Sequence, residues 1–240
     1  MESRGLRQRL LATIAAARER EHELLALCDD SPPPEPGLWT VKDHLAHLTA
    51  WRINVARLLD AGRTGTEAPT MDDDIEGSNA RVYAANRDKT ADEVKANARS
   101  AYDTLDAAIA ACSDEDLLKP HPRPRSPGVA LWQTVPGHVH HVAEHLMFWH
   151  LEQGDEEGAE AAQLWVHGLD LAQFPEPDAV AASTYNLGCF YVRIGREDEA
   201  VLRFKHAFEL DPSLKTHAQT DPDLDRIRDH PELTALLNGC

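Results

Sequence analysis

One stretch constrains the fold more than any other: Trp132 to His150, WQTVPGHVHHVAEHLMFWH, which carries histidines at 138, 140, 141, 145 and 150. Past Pro136 and Gly137 nothing in it breaks a helix, and Leu146, Phe148 and Trp149 supply apolar mass. His141 and His145 are four residues apart, so on a helix they stand one above the other on the same face. Two imidazoles so placed present two nitrogen ligands to one metal ion. Such a site needs at least one further ligand, and a second element must face this helix to supply it.

The rest of the chain reads as helices that could provide that element. Leu6, Leu10, Ile14, Leu24, Leu25 and Leu27 recur at helical spacing and predict a first helix over residues 3–28. Asp29 to Gly37, DDSPPPEPG, is loop, because successive prolines cannot continue a helix. Thr40 followed by Asp43 forms a capping box that opens a second helix ending near Gly62. Leu45, Leu48, Trp51, Ile53, Val55, Leu58 and Leu59 form its buried side. His47 lies on or beside that side, whereas Lys42 and His44 are read as facing solvent.

The Asp72-Asp73-Asp74 triplet is read as solvated linker or the first turn of a helix. A third helical region runs from Ile75 to Cys112. It breaks near Asp88, because Thr90 and Glu93 form a second capping box. Ser113 to Asp116 starts a short turn. Lys119 to Gly128, KPHPRPRSPG, is a basic connector. The fourth helix runs from Pro136 to Gln153. Four helical regions with one apolar side each predict a helical bundle over residues 1–155.

The segment 156–240 has a different signal. Gly188, Tyr191, Ala200, Phe204, Ala207 and Pro212 fall at positions 8, 11, 20, 24, 27 and 32 of a 34-residue frame beginning at Ala181. This resembles one tetratricopeptide repeat, with Gly195 at the turn between its helices. Glu160 to Phe174 reads as an imperfect half repeat, and Pro222 to Leu237 as a terminal helix. A single repeat does not make a peptide-binding superhelix. Capping, docking on the bundle or formation of a homodimer through bundle or tail are the expected roles.

Charge narrows the partners. With 24 Lys and Arg against 41 Asp and Glu, the net charge of -17 predicts no nucleic-acid and no membrane partner. No apolar run approaches a transmembrane span, which needs about 18 residues, and the cytoplasm is the expected location. Cys28, Cys112, Cys189 and Cys240 form no CxxC pair and read as free thiols.

The third metal ligand has candidates in His22, His44, His47, His121, His138, His140 and His150. His138 with His145 would place ligands seven residues apart, about 10.5 Å along a helix, which strains bonds of about 2.0–2.1 Å to one ion. His47 on a facing helix avoids that strain and leaves coordination positions open for water or substrate.

The motif Trp39-Thr-Val-Lys-Asp43-His-Leu-Ala-His47-Leu-Thr-Ala-Trp51, together with His141-Val-Ala-Glu144-His145, resembles the DinB/YfiT-like superfamily of metalloenzymes, and in particular its ClbS/DfsB-type subgroup. Asn79, Val82, Tyr83, Asn86 and Val94 stand where that subgroup has its Asn- and Tyr-bearing third region. The resemblance covers residues 1–153. It implies an all-α fold, an up-down-down-up four-helix bundle, with a divalent transition metal (zinc or nickel first) held by His47, His141 and His145. The histidine-rich HVHH departs from the subgroup's aromatic context, and the tail lies outside its minimal fold.

The superfamily includes thiol-dependent transferases, isomerases and a resistance protein that opens a strained ring. The resemblance therefore implies a small-molecule substrate without naming it. The expected function is hydrolase-like chemistry on a small electrophile, of a resistance or detoxification type. The alternatives are a metal-dependent thiol transferase and a non-catalytic interaction or dimerisation protein. Asn79, Tyr83 and Glu144 are the candidates to orient substrate or move a proton. Glu144 is equally read as a partner of Arg52 or a surface residue. Asp43 is read as a helix cap or as the holder of a ligand histidine. A thiol cofactor bearing carboxylates would want a positive rim, for which Arg52, Arg81 and Arg123 or Arg125 are the available cations.

Overall fold

The computed structural model describes residues 5–33, 35, 37–70, 74–122 and 129–238. The described residues are helical, apart from turns and one isolated antiparallel bridge between Pro120 and Ala130. They divide into two compact units, Met1–Leu146 and Met147–Cys240.

In the first unit, α1 (Leu6–Arg20) and α2 (His22–Leu27) replace the single expected helix. The interruption is slight: Glu21 N–H donates to Ala17 O at 2.9 Å and Leu25 N–H to Glu21 O at 3.0 Å, so the i to i−4 ladder passes through it. Helix α3 (Val41–Thr64) starts at the predicted capping box, where Asp43 N–H donates to Thr40 Oγ1 at 3.1 Å and Thr40 N–H to Asp43 Oδ2 at 2.9 Å. The helix ends near Gly62 as expected, its last residue being Thr64 and its cap Gly65, whose φ of 70° is the left-handed conformation that terminates helices.

Asp74 caps α4 (Ile75–Asn86) by accepting from Gly77 N–H at 2.9 Å, while Asp72 and Asp73 lie outside the described residues. The expected break near Asp88 separates α4 from α5 (Ala91–Ala111), which opens at the Thr90–Glu93 capping box. The short turn is α6 (Asp114–Leu118), capped by Ser113 and Asp116. Of the basic connector, residues 123–128 lie outside the described part. A 3₁₀ turn (Leu131–Gln133) leads into α7 (Thr134–Glu152), whose residues to Leu146 count with the first unit.

Helix α3 is the centre of this unit. It packs against α5, α4, α2 and α6, and α1 packs on α5. Leu45, Leu48 and Leu59 of α3, Leu105 and Ile109 of α5, and Val139 and Val142 of α7 are buried. Each such side chain contributes about 1.5–3 kcal/mol by leaving water. Helix α4 is anchored differently. Its buried residue is Ser78, while Ile75 and Tyr83 are 55% and 48% exposed. It therefore gains little from burial and forms a lightly held wall beside α3.

The second unit contains α8 (Glu156–Gln173), α9 (Pro177–Arg193), α10 (Glu197–Leu210), α11 (Leu214–Ala218), a 3₁₀ segment (Pro222–Ile227) and α12 (Pro231–Asn238). Helices α9 and α10 form a tight hairpin. A Cβ on Gly188 would stand 2.7 Å from a Phe204 ring atom, so only glycine permits this approach. The expected terminal helix over Pro222 to Leu237 is split in two. Pro231 has no N–H to continue a ladder and instead begins α12. Cys28, Cys112 and Cys189 are free thiols, as expected, and Cys240 lies outside the described residues. No helix among the described residues is long and apolar enough to cross a membrane.

Candidate metal centre

Helices α3 and α7 bring three imidazoles to one point. The Nε2 atoms of His47 and His141 lie 3.0 Å apart, and those of His145 and His141 also 3.0 Å. One ligand atom from each of His47, His141 and His145 lies within 4.8 Å of the others. Nitrogens bound tetrahedrally to one zinc at about 2.0–2.1 Å stand about 3.3 Å from each other. The two 3.0 Å spacings to His141 are close to that.

Hydrogen bonding does not explain this convergence. A neutral imidazole nitrogen carries either one proton or one lone pair in the ring plane. His141 Nε2 therefore cannot form two good hydrogen bonds, to His47 and to His145, at once. A cation between the three nitrogens would accept all three lone pairs. The cluster is thus able to coordinate a metal ion.

The surroundings keep the rings neutral. Burial, helped by the neighbouring His141 and His44, pushes the His47 pKa down to about 3. Burial and then the Arg52 charge push His141 to about 4. His145 is lowered well below the ordinary imidazole range, again chiefly by burial. Neutral imidazole is the form that ligates metals.

Trp39 walls the cluster. Its ring lies 5.1 Å from His47 and 5.4 Å from His44, centroid to centroid, and stacks on His145 at 5.8 Å. Asp43 is occupied by the helix cap through Thr40, its expected capping role.

His44 corrects the sequence reading. It is 3% exposed rather than solvent-facing, and its Nδ1 lies 2.7 Å from His145 Nδ1. The signal was present: residues 44, 48, 51, 55 and 58 fall on one helical stripe, and Leu48, Val55 and Leu58 of that stripe are buried.

Arg52 is the second correction. It is neither a rim cation nor a partner of Glu144. Its guanidinium is fully buried, donates to Glu21, to Ala98 O at 3.2 Å and to His138 Nε2 at 3.2 Å, and sits 3.5 Å from the Tyr102 ring centre. Tyr102 OH donates to the same Glu21 carboxylate at 3.1 Å. Because Arg can only donate, His138 accepts at Nε2 and carries its proton on Nδ1.

A cavity of about 370 Å³ opens beside the cluster. His47, His138 and His141 line it, with Trp51, Val55, Leu58, Ile75, Asn79 and His121 among its other walls. Among the described residues no Asp, Glu, Lys or Arg lines it. Trp51 Nε1–H donates to Asn79 Oδ1 at 3.2 Å and fixes that amide at the wall.

The remaining predicted residues are more scattered. Tyr83 borders a small crevice with Trp39, His47 and Asn79. Glu144 is exposed on α7 and lines neither space. His150 belongs to the second unit and bonds Asp155 at 2.8 Å through Nδ1. Arg81 is exposed and pairs with Asp74, and Arg123 and Arg125 lie outside the described residues.

Comparison with known families agrees with this architecture. A sequence model of the DinB superfamily matches residues 14–153, more than half of the 240-residue chain. The chain belongs to the DinB superfamily. The match spans α3 and α7, so all three clustered histidines lie within the DinB region. No curated protein and no solved structure matches the chain.

Proposed function

We propose that this DinB-superfamily protein is a metal-dependent enzyme with hydrolase-like activity on a small, uncharged electrophile. In this reading His47, His141 and His145 are the ligands of a divalent transition metal, zinc or nickel first. The observation that carries the reading is the convergence of three neutral Nε2 atoms, those of the buried His47 and His145 and the half-buried His141, on one point at the wall of a cavity. A divalent ion held by three neutral histidines keeps its full charge, and when bound supplies Lewis acidity that activates water or an electrophile.

The protein's own groups divide the remaining work. Trp51, Val55, Leu58 and Ile75 give the cavity an apolar lining that holds a small organic molecule and limits bulk water. Asn79, held by Trp51, is the polar group that orients the substrate. Tyr83 is placed second for that role. Glu144, exposed on α7, serves as proton acceptor only for a group that reaches the surface of that helix.

Among the described residues the lining carries no charged side chain, which favours hydrolase-like chemistry over thiol transfer. A thiol cofactor with carboxylates would need cations, and Arg52 is committed to Glu21 inside the core. The likeness of the Trp39 to Trp51 motif to the ClbS/DfsB-type subgroup supports a resistance or detoxification role. In the tail, the contact of Gly188 with Phe204 supports the tetratricopeptide-like reading, since those residues hold repeat positions 8 and 24.

The test is to load the protein with zinc or nickel and screen turnover of neutral strained-ring and ester electrophiles, with and without added thiol. Thiol-independent hydrolysis lost in His47→Ala supports the proposal. Turnover only with a carboxylate-bearing thiol favours the transferase instead.

A further inference from the structure

His145 is touched on both ring nitrogens. Its Nε2 faces the cluster, 3.0 Å from His141 Nε2, and its Nδ1 faces His44 Nδ1 at 2.7 Å. A contact of that length between two nitrogens needs a proton on one of them. Which one is decided by the role of His145, so this inference rests on the metal reading above. If Nε2 gives its lone pair to an ion, the ring proton sits on Nδ1 and points at His44. His44 Nδ1 must then accept, and its own proton must sit on Nε2. That atom is buried and has no hydrogen-bond partner among the described residues.

We propose that His44 is the positioning residue of the centre: its Nδ1 accepts the Nδ1–H of His145, fixing the tautomer and ring orientation in which His145 Nε2 binds the metal. Ligand histidines commonly rely on such an acceptor, and the usual acceptors are carboxylates, backbone carbonyls or water. A second imidazole in that place is costly, because its far nitrogen remains unsatisfied in the interior. The arrangement persists because α3 places His44 one turn before His47 and Trp39 packs on both rings. The nearest carboxylate in sequence, Asp43, is held by the Thr40 cap and does not take the role.

The test uses the full chain and the zinc ion itself. Zinc dissociation constants are measured by chelator competition for wild type, His44→Leu and His44→Asn, with the thermal midpoint of each metal-free protein as a control for folding. Loss of the acceptor in His44→Leu should weaken zinc about 10–100-fold. His44→Asn should stay close to wild type, because Oδ1 takes the place of Nδ1 as acceptor. Nitrogen-15 spectra of the zinc-loaded wild type should show His145 protonated at Nδ1 and His44 at Nε2. Wild-type affinity in His44→Leu, an Asn variant as weak as Leu, or a His44 proton on Nδ1 overturns the inference while leaving the metal reading intact. A wild type that takes up neither zinc nor nickel overturns both. Should His44→Leu fail to fold, the Asn variant and the spectra decide.

Discussion

Arg52 donates its Nε–H to His138 Nε2 across 3.2 Å of protein interior. The relationship joins the charged core of the first unit to the wall of its cavity, since the same guanidinium pairs with the buried Glu21. Burial raises the Glu21 pKa, and Arg52 and the Tyr102 hydroxyl oppose that rise. Removing Arg52 would leave a carboxyl without its cation in a site closed to water. Arg52→Met should therefore cost about 3–5 kcal/mol, whereas adding Glu21→Leu to it should recover most of the loss. Urea unfolding of the two variants at neutral pH measures this. A single variant as stable as wild type would mean that the network is not holding the core.

Acid should weaken the metal-free protein. His44, His47 and His141 have pKa values pushed down to about 4, 3 and 4, against an ordinary 6.5. Below about pH 6.5 the unfolded chain takes up protons that the folded one refuses, so stability falls as pH falls. Each fully differential group contributes a slope of up to roughly 1.4 kcal/mol per pH unit, and the loss levels off below the folded pKa values. The thermal midpoint followed from about pH 7.5 to 4.5 should drop steadily, and more steeply than in a His44→Asn variant. An unchanged midpoint over that window would show the rings to be accessible to protons in the fold.

Gly188 gives a prediction confined to the second unit. A methyl group there would enter the Phe204 ring at 2.7 Å, so Gly188→Ala should destabilise by about 1–3 kcal/mol through overpacking. Pairing it with Phe204→Leu should relieve part of the cost. Calorimetry on the full chain reads the effect, and a neutral Gly188→Ala would argue against close contact between α9 and α10.

Much of the fold was legible because its signals are local. The capping boxes at Thr40 and Thr90 named the starts of α3 and α5, and the stripe of Leu45, Leu48, Val55, Leu58 and Leu59 named the buried side of α3. The His141 and His145 pair followed from helical spacing, and the need for a facing ligand led to His47. What the sequence concealed is long-range. Glu21 meets Arg52 across 31 residues, and nothing near either residue in the chain announces the pair. A charged side chain is read as exposed by default, and here that default put Arg52 at a rim. His44 was misread for a similar reason. Its polarity outweighed its position on the apolar stripe, and its partner, 101 residues away, was out of view.

In the proposed function α3 and α7 hold one ion between them. Metal content by inductively coupled plasma mass spectrometry on untagged wild type, His47→Ala and His145→Ala is the decisive measurement. Near-stoichiometric zinc or nickel in the wild type, lost in both variants while their helical content is kept, is the predicted result. No metal in the wild type, even after incubation with either ion, or full retention in both variants, would contradict it.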